Sequence, residues 1–473
     1  MQTTRLLRLG FLFSVLLVLA GGRSLAGRQA AGPRQVSLIV ANGIVVTMDG
    51  ERRVLTPGSI AIDGRDIVAV DTPTAIAARY RAAETIDAAG QVVIPGLVNT
   101  HTHAAMVMFR GLADDLALMD WLQRYIFPAE GKTVNPEFVR AGTRLAVAEM
   151  IQSGTTTYAD MYYFEEAVAQ VTKAAGMRGV LGQTVIEFPV TDAKTPQEAL
   201  RRADAFIAAY KHDDLIVPAV APHAAYTLDQ ATLLACRELS RRHGVPTLIH
   251  LAETEDEVRM IRERYNRTPV EFLDSFGFLG PGVLAAHGVW VTDADLDILA
   301  RRGVSVSHNP ESNMKLASGV APVTKYLAAG VALGLGTDGA ASNNDLDMFE
   351  AMRQAAFLHK LTERDPRAVS AQVALEMATI GGARALGLQA LIGSIEPNKR
   401  ADVVVVSMTS ARQTPMYDPV SHLVYTTTGE HVRTSVINGR VVMRDRKLLT
   451  LDEAAVLADA RRLAERVREA VKK

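Results

Sequence analysis

The middle of the chain alternates between short apolar runs and stretches with the spacing of amphipathic helices. Strands that alternate with helices indicate parallel β-α-β units. Eight such runs occur, and eight parallel strands close a barrel whose active site lies at the carboxyl ends of the strands. An open doubly wound sheet is the alternative, since periodicity does not show closure. The predicted strands are Val93–Asn99, Thr155–Asp160, Gly179–Ile186, Ile216–Ala221, Thr247–Leu251, Val283–Ala286, Val304–Ser307 and Ala332–Gly336.

Both chain ends show a different pattern, in which short strand-like runs are separated by turn dipeptides such as Asn42-Gly43 and Asp63-Gly64. These dipeptides favour hairpins. The predicted fold is therefore an α/β fold: a (β/α)8 TIM barrel with a small β-sandwich domain built from both ends of the chain. The predicted divisions are a β domain over residues 27–94 and 393–450, a catalytic barrel over 95–392, and a C-terminal surface helix over 451–473.

The N-terminus has the pattern of an export signal. Basic residues precede the apolar run Phe11–Ala20, which has the length of a signal-peptide core and is too short to span a bilayer. Residues 24–26 fit a cleavage pattern, with a second frame at 29–31. We expect a signal peptide over residues 1–26 and a periplasmic or secreted protein without stable membrane insertion after cleavage. An uncleaved anchor is the alternative.

Charge and cysteine content narrow the classes of partner and site. The chain has 51 Lys and Arg against 52 Asp and Glu, and it has no basic stripe of the kind that nucleic-acid binding needs. We therefore expect a small-molecule substrate and no nucleic acid. Cys236 is the single cysteine, which excludes an intramolecular disulfide or a thiolate metal cluster. Any metal must bind to histidines and carboxylates.

Histidines and acids fall at the ends of the predicted barrel strands. His101 and His103 follow the first strand with one residue between them, so their side chains share a face of extended chain. His250, His287 and Asp338 end three later strands. A single strand-end histidine is more often structural, but five metal-type side chains in register favour a metal site. Zinc accepts these ligands, as do iron, manganese and nickel.

A metal-activated water also needs groups that move protons. A catalytic metal lowers the pKa of water from about 16 to about 7. Glu253 lies three residues after His250, and together with His287 it is a candidate for proton transfer.

Several long motifs resemble the amidohydrolase superfamily, and within it the cytosine-deaminase-like branch. That branch holds methylthioadenosine and adenosylhomocysteine deaminases and chlorotriazine hydrolases. The resemblance covers residues 36–450, including the divided β domain. The motifs that carry it are Pro95–His103, His250–Glu253, Ala286–Gly288, Ser307–Leu316 and Gly336–Asn343.

The resemblance implies one divalent metal, with zinc preferred and Fe2+, Mn2+ or Ni2+ possible. Members with two metals carry a bridging modified lysine on the fourth strand, whereas Ile216–Ala221 contains no lysine. The resemblance also allows a homo-oligomer. The implied metal ligands are His101, His103, His250 and Asp338. The implied proton-transfer residues are Glu253, His287 and Asp338.

Two further segments resemble substrate-binding parts of the family. Pro222–Tyr226 is similar to a segment whose histidine contacts a purine ring, and Phe127–Glu130 is similar to a loop whose glutamate binds ribose hydroxyls. For each of these residues a packing or solvated role is the alternative. The predicted substrate contacts are Glu130, His223, Trp121 and Asn309.

One departure from the family pattern bears on the substrate. Adenosylhomocysteine deaminases of this type carry an arginine on the third strand, whereas Val180–Thr184 has none. Adenosylhomocysteine is therefore disfavoured relative to methylthioadenosine or adenosine. We expect a metal-dependent hydrolytic deaminase of an amino-substituted nitrogen heterocycle. The alternatives are an amidohydrolase that acts on a cyclic amide or expels another leaving group, as triazine hydrolases do, and a non-catalytic periplasmic binder. The binder is disfavoured because Glu253 and His287 serve no purpose in it.

Overall fold

A computed structural model describes residues 32–472 of the 473-residue chain. The predicted signal peptide lies outside the described residues, so export stays a prediction. Within residues 32–472, no helix has both the length and the apolar character that crossing a bilayer requires.

The described residues form two sheets and the helices around them. The strands are β1 (Arg34–Val46), β2 (Val54–Asp63), β3 (Asp66–Asp71), β4 (Tyr80–Asp87), β5 (Val92–Pro95), β6 (Leu97–Thr102), β7 (Thr155–Tyr162), β8 (Arg178–Val185), β9 (Ile216–Pro222), β10 (Thr247–Leu251), β11 (Val283–His287), β12 (Ser305–His308), β13 (Leu333–Leu335), β14 (Val403–Val406), β15 (Val432–Ile437), β16 (Arg440–Arg444) and β17 (Lys447–Leu448).

Most helices lie between the barrel strands. They are α1 (Pro73–Arg79), α2 (Leu118–Trp121), α3 (Phe127–Thr133), α4 (Pro136–Gln152), α5 (Glu165–Ala175), α6 (Pro196–Tyr210), α7 (Gln230–His243), α8 (Glu255–Tyr265), α9 (Pro269–Ser275), α10 (Asp293–Arg302), α11 (Pro310–Lys315), α12 (Val323–Ala328), α13 (Met348–Glu363), α14 (Ala371–Met377), α15 (Ile380–Ala385), α16 (Pro419–Tyr425) and α17 (Glu453–Val471). A π-helical turn, Leu122–Ile126, joins α2 to α3.

Strands β6 to β13 form the barrel. They pair in parallel and in chain order, which a doubly wound sheet would not do. The first and last strands meet where the backbone N–H of Asp338 donates to the carbonyl of His101 at 3.0 Å. The Thr100 hydroxyl adds a 2.9 Å hydrogen bond to the carbonyl of Leu335. The barrel prediction is confirmed.

The helices of the barrel begin and end at residues suited to those positions. At the start of α7, the Asp229 side chain accepts a hydrogen bond from the Thr232 N–H, and at its end Gly244 adopts a left-handed conformation. Such caps satisfy backbone groups that have no partner inside the helix. Helix α10 ends in the same way at Gly303. These boundaries set the short loops that bring each chain segment back to the barrel.

Strands from the two chain ends form the second sheet, as predicted. Strand β14 pairs antiparallel with β5, which joins the C-terminal strands to the N-terminal ones. Strand β1 pairs with β4 along its first half and with β5 along its second, so the sheet branches. Strand β4 was not predicted, because its sequence YRAAETID is largely polar and exposed.

Two local details of the sequence prediction were wrong. Asn42-Gly43 forms an irregularity within the continuous strand β1 instead of a hairpin turn, with Asn42 at a φ of 64°. The segment Val93–Asn99 is two strands, β5 and β6, because the chain passes from one sheet to the other at Gly96. A Cβ on Gly96 would lie 2.0 Å from the Thr156 hydroxyl oxygen, so a larger residue does not fit this crossing.

The barrel and the second sheet are joined by a buried ion pair. Arg178 at the start of β8 lies 3.3 Å from Asp402, with 4% and 2% of the two side chains exposed. The C-terminal helix α17 packs on the barrel through Val456, Leu463 and Val467, and Asp459 binds Arg144 of α4 at 3.0 Å. The predicted C-terminal surface helix is present.

Candidate active site

Four of the predicted side chains converge at the carboxyl ends of β6, β10 and β13. Nε2 of His101 and Nε2 of His103 each lie 3.4 Å from Oδ1 of Asp338. Nε2 of His250 lies 3.3 Å from Nε2 of His103. These side chains are largely buried, so water does not screen them from one another.

Hydrogen bonds on the far side of two imidazoles determine where their protons are. Nδ1 of His103 lies 2.7 Å from the Met161 carbonyl, and Nδ1 of His250 lies 2.8 Å from the His223 carbonyl. A carbonyl only accepts, so both Nδ1 atoms carry hydrogen and both Nε2 atoms present lone pairs. Such outer hydrogen bonds are typical of metal-binding histidines.

The inward-facing atoms suit a cation. The Nε2 lone pairs of His103 and His250 face each other, and Nε2 of His101 is buried without a hydrogen-bond partner. Three imidazole nitrogens and the Asp338 carboxylate match the donor set of zinc and similar divalent ions.

Asp338 is held in one orientation. Its Oδ1 accepts the Gly339 N–H at 2.7 Å, and its Oδ2 accepts the Ser342 hydroxyl at 3.1 Å. Although burial favours the neutral acid, His101, His103 and His287 hold the pKa of Asp338 well below its usual range. Asp338 is therefore an anion that can bind a cation or accept a proton.

Glu253 and His287 lie beside this cluster. Nε2 of His287 is 3.8 Å from Glu253 and 4.0 Å from Asp338, and its Nδ1 donates to Asn313 at 2.8 Å. Burial raises the pKa of Glu253; His287 opposes that shift and Asp338 adds to it. Burial would lower the pKa of His287, but the charges of Glu253 and Asp338 raise it. The pKa values of the two acids are shifted in opposite directions, which suits Glu253 as proton donor and Asp338 as proton acceptor.

Backbone conformation at the strand ends is unusual. His287 and Asp338 have φ values of 74° and 63°, and Ala252, just before Glu253, has 49°. Residues other than glycine seldom adopt this region, and those that do concentrate at functional sites. The strand-end turns aim these side chains into the barrel mouth.

A narrow cavity of about 60 Å³ opens onto the cluster, with Glu130, His223 and Trp121 in its walls. Glu130 is 5% exposed and accepts a 2.8 Å hydrogen bond from the Tyr162 hydroxyl. Burial raises the pKa of Glu130 to about 7, against opposing hydrogen bonds from Tyr162 and Tyr163. Trp121, in α2, forms part of the apolar wall.

His223 follows β9 and lies next to His250, with their ring centroids 4.9 Å apart. Burial, with the neighbouring imidazoles of His103 and His101, lowers the pKa of His223 to about 3. The ring is therefore neutral near pH 7 and can donate or accept one hydrogen bond. Its carbonyl also orients His250, so this residue contacts both the cavity and a predicted ligand.

Asn309 is placed differently from the other predicted substrate contacts. Its side chain is fully buried behind His287, with Nδ2 3.3 Å from Nδ1 of that imidazole and Oδ1 accepting from Ser307 at 3.0 Å. It is not among the residues that line the cavity. This position suits a residue that orients His287 rather than one that touches substrate.

Sequence reasoning missed several residues of the site. Tyr162 and Tyr163 lie two and three residues after the predicted second strand and bind Glu130, so the rule that strand ends face the site could have found them. Asn313 and Ser342, which bind His287 and Asp338, lie within motifs already recognised, but spacing alone does not assign them a role.

A second cavity of about 320 Å³ lies beyond Glu130 and shares it, Phe127 and Tyr163 with the first. Its other walls include Phe188, Val190 and Lys194 of the loop after β8. The two cavities therefore adjoin at Glu130.

Comparisons with known proteins agree with this architecture. Residues 92–442 match the model of the amidohydrolase family, and the chain belongs to this family. Members use a divalent metal, which the histidine and aspartate cluster fits.

Three individual proteins are particularly similar. A 5-methylthioadenosine/S-adenosylhomocysteine deaminase of Syntrophobacter fumaroxidans is 48% identical over 437 residues, 92% of this chain and 100% of that one. A 5'-deoxyadenosine deaminase of Methanosarcina barkeri is 46% identical over 431 residues, 90% of this chain and 98% of that one. A crystal structure of an adenosine deaminase from Xanthomonas campestris with bound zinc has a TM-score of 0.91 and 40% identity, covering 92% of this chain and 100% of that chain.

Proposed function

We propose that this protein is a metal-dependent hydrolytic deaminase of adenine nucleosides, with 5'-methylthioadenosine and adenosine as preferred substrates. The observation that carries the proposal is the meeting of His101, His103, His250 and Asp338 at a cavity that also contains Glu253. The substrates named for the similar proteins are all adenine nucleosides that differ at the 5' position. They support the same class of substrate here.

We propose that His101, His103, His250 and Asp338 bind one divalent ion, with zinc preferred and Fe2+, Mn2+ or Ni2+ accepted by the same donors. Strand β9 contains no lysine that could bridge a second ion. When bound, the ion supplies hydroxide at neutral pH by lowering the pKa of water to about 7.

Asp338 and Glu253 each carry out part of the proton transfer in the proposed reaction. In the net reaction, a water oxygen bonds to the ring carbon that carries the amino group, and the bond from that carbon to nitrogen breaks to release ammonia. Asp338 accepts one proton from water and passes it to the leaving nitrogen. Glu253 gives its proton to the neighbouring ring nitrogen and regains the second water proton. His287 lies close to both carboxyl groups and stabilises the negative charge that moves between them.

The remaining residues orient the nucleoside. His223 hydrogen-bonds the ring, Trp121 contacts its face, and Glu130 accepts hydrogen bonds from the sugar hydroxyls. The 5' group then extends into the second cavity. Asn309 acts indirectly by packing against the His287 imidazole.

Deamination would be tested directly by ammonia release from the zinc-loaded protein with methylthioadenosine, adenosine, adenosylhomocysteine, guanine, cytosine and aminotriazines. Ammonia from the first two, and its loss in Glu253→Gln, is the expected result. Equal rates with adenosylhomocysteine would show that the arginine absent from Val180–Thr184 is not needed for this substrate. Ammonia from none of these compounds would overturn the deaminase assignment in favour of cyclic-amide hydrolysis or another leaving group.

A further inference from the structure

Two buried carboxyl groups lie next to the candidate site and take no part in the proposed reaction. Asp160 in β7 is 1% exposed, and Glu165, the first residue of α5, is fully buried. Oδ1 of Asp160 accepts the Ala104 N–H at 2.6 Å. Oε1 of Glu165 accepts the Tyr162 N–H at 2.9 Å. Each acid therefore uses one oxygen to hold a backbone N–H.

The second oxygen of each acid lacks a hydrogen-bond donor. Oδ2 of Asp160 and Oε2 of Glu165 are buried and receive no hydrogen bond from a protein donor. The two carboxyl groups lie near enough for each to shift the pKa of the other, and the remaining charges that act on Glu165 come from two further carboxylates, Glu166 and Asp192. Two ionised carboxylates only accept hydrogen bonds, whereas one proton shared between them would satisfy both free oxygens. Burial raises the pKa of both groups, which agrees with this count.

The two backbone segments that Asp160 and Glu165 bind lie next to the histidine cluster and next to Glu130. Ala104 follows His103, and the Met161 carbonyl that fixes the His103 tautomer follows Asp160. Tyr162, whose N–H binds Glu165, donates its hydroxyl to Glu130. The acid pair is thus connected to the histidine cluster on one side and to the cavity acid on the other.

We propose that Asp160 and Glu165 form a proton-sharing pair that positions His103 for the metal and Tyr162 for Glu130. Both are positioning residues, because neither lines the cavity. The part that concerns Glu130 rests on the proposed function, whereas the part that concerns the metal does not.

Substitutions of Glu165 separate proton sharing from simple packing. Glutamine keeps the shape and an N–H donor toward Asp160, so Glu165→Gln retains the contact. Glu165→Ala and Glu165→Met remove it and leave Oδ2 of Asp160 buried without a partner, and Met preserves volume. Glu166→Ala is the matched control, since Glu166 is the next residue of the same helix, is 47% exposed and pairs with Arg202 on the surface.

The first readout is the zinc dissociation constant, measured by chelator competition, which needs no substrate. Loss of a group that orients a metal ligand costs about 10-fold to 100-fold in affinity. Glu165→Ala or Glu165→Met should weaken zinc binding by at least about tenfold, whereas Glu165→Gln and Glu166→Ala should stay within about threefold of wild type. Unchanged affinity in both Ala and Met variants, or equal losses in Gln and Met, would overturn the proposal.

Infrared difference spectroscopy gives a second readout on the folded wild-type protein and Glu165→Gln. The expected result is loss of a protonated-carboxyl band near neutral pH, and no such loss would refute proton sharing even if the other variants failed to fold. For the substrate side, KM for methylthioadenosine should rise more than kcat falls in Glu165→Met. A protein that binds zinc as expected but deaminates nothing would refute the proposed function and leave the metal part of this inference standing.

Discussion

The Tyr162 hydroxyl donates a 2.8 Å hydrogen bond to Glu130, whose pKa burial raises to about 7. The carboxyl group therefore changes charge near neutral pH. An ionised carboxylate accepts hydrogen bonds from sugar hydroxyls more strongly than a neutral acid does. We expect kcat/KM for a nucleoside to rise as the pH increases through about 7, and Glu130→Gln to flatten this rise.

The measurement is a kcat/KM profile from about pH 5.5 to about pH 8.5. Free adenine, which lacks the sugar, is the control, and its kcat/KM should not show the rise that is due to Glu130. An unchanged rise in Glu130→Gln would assign the rise to another group.

The free energy of unfolding should change with pH in the opposite direction. The pKa of Glu130 is higher in the folded state than in the unfolded chain, so the stability that Glu130 contributes is present in acid and is lost as the pH rises through about 7.

Removal of either proton-transfer acid should reduce turnover without unfolding the protein. Glu253→Gln and Asp338→Asn preserve shape, and loss of a general acid or base commonly costs at least about a hundredfold. The measurement is kcat together with the thermal midpoint of the zinc-loaded variants. Near-normal turnover in either variant would show that its role is assigned wrongly. Asp338→Asn should also weaken zinc binding, whereas Glu253→Gln should not, because Glu253 is not a proposed ligand.

Metal removal should lower stability as well as activity. Without a cation, the lone pairs of His103 and His250 face each other at 3.3 Å. A ligand that binds only the folded state stabilises it by about 2.7 kcal/mol at a hundredfold excess over its Kd. The thermal midpoint should therefore rise with free zinc and fall on chelation. Magnesium prefers oxygen ligands and should not reproduce the effect; a midpoint independent of zinc would contradict the assigned cluster.

The ion pair between barrel and second sheet should matter more than surface pairs. Arg178→Met would leave Asp402 as a buried charge and should cost about 3–5 kcal/mol in the free energy of unfolding. Arg433→Ala removes an exposed pair with Asp445 and should cost under about 1 kcal/mol. Urea denaturation compares the two variants. Adding Asp402→Leu to Arg178→Met should recover part of the lost stability, because no buried charge then remains. An equally small cost for Arg178→Met and for Arg433→Ala would argue against a stabilising role of the pair between Arg178 and Asp402.

Export can be tested on the full chain. We propose that residues 1–26 direct secretion, on the basis of the apolar run Phe11–Ala20 and the cleavage pattern that follows it. In a bacterial host with a periplasm, the protein should appear in the periplasmic fraction with a new N-terminus near Gly27. Replacement of Leu16 by Arg should block processing. A full-length chain retained at the membrane would instead support an uncleaved anchor.

The sequence predicted the barrel and the main cluster because both follow from the position of residues along strands. A strand has a fixed period and a defined carboxyl end, so the sequence alone places His250 and His287 at the mouth of the barrel. The ends of β12 and β13 were predicted equally well. A position at a strand end does not show how deeply a side chain is buried. Asn309 directly follows β12, yet its side chain lies behind His287 instead of lining the cavity.

Other features depend on contacts between segments far apart in sequence. The irregularity at Asn42-Gly43 arises because β1 pairs with several other strands, and a two-residue turn signal contains no such information. The hydrogen bond from Tyr162 to Glu130 joins a barrel strand to the helical segment over the cavity. Asp160 and Glu165 are two ordinary acids in the sequence, and only the fold shows that both are buried and that one oxygen of each receives no hydrogen bond.

Closure of the barrel and assembly of the cation cluster use the same residues. The backbone bond that joins the first and last strands runs from Asp338 to His101, both proposed ligands, and Asn99 and Thr337 add a 2.8 Å side-chain contact beside it. A bound ion would therefore crosslink the first and last strands of the barrel, which are about 240 residues apart in the sequence. Amide hydrogen exchange in β6 and β13 should consequently report metal occupancy even though the exchanging groups never touch the metal.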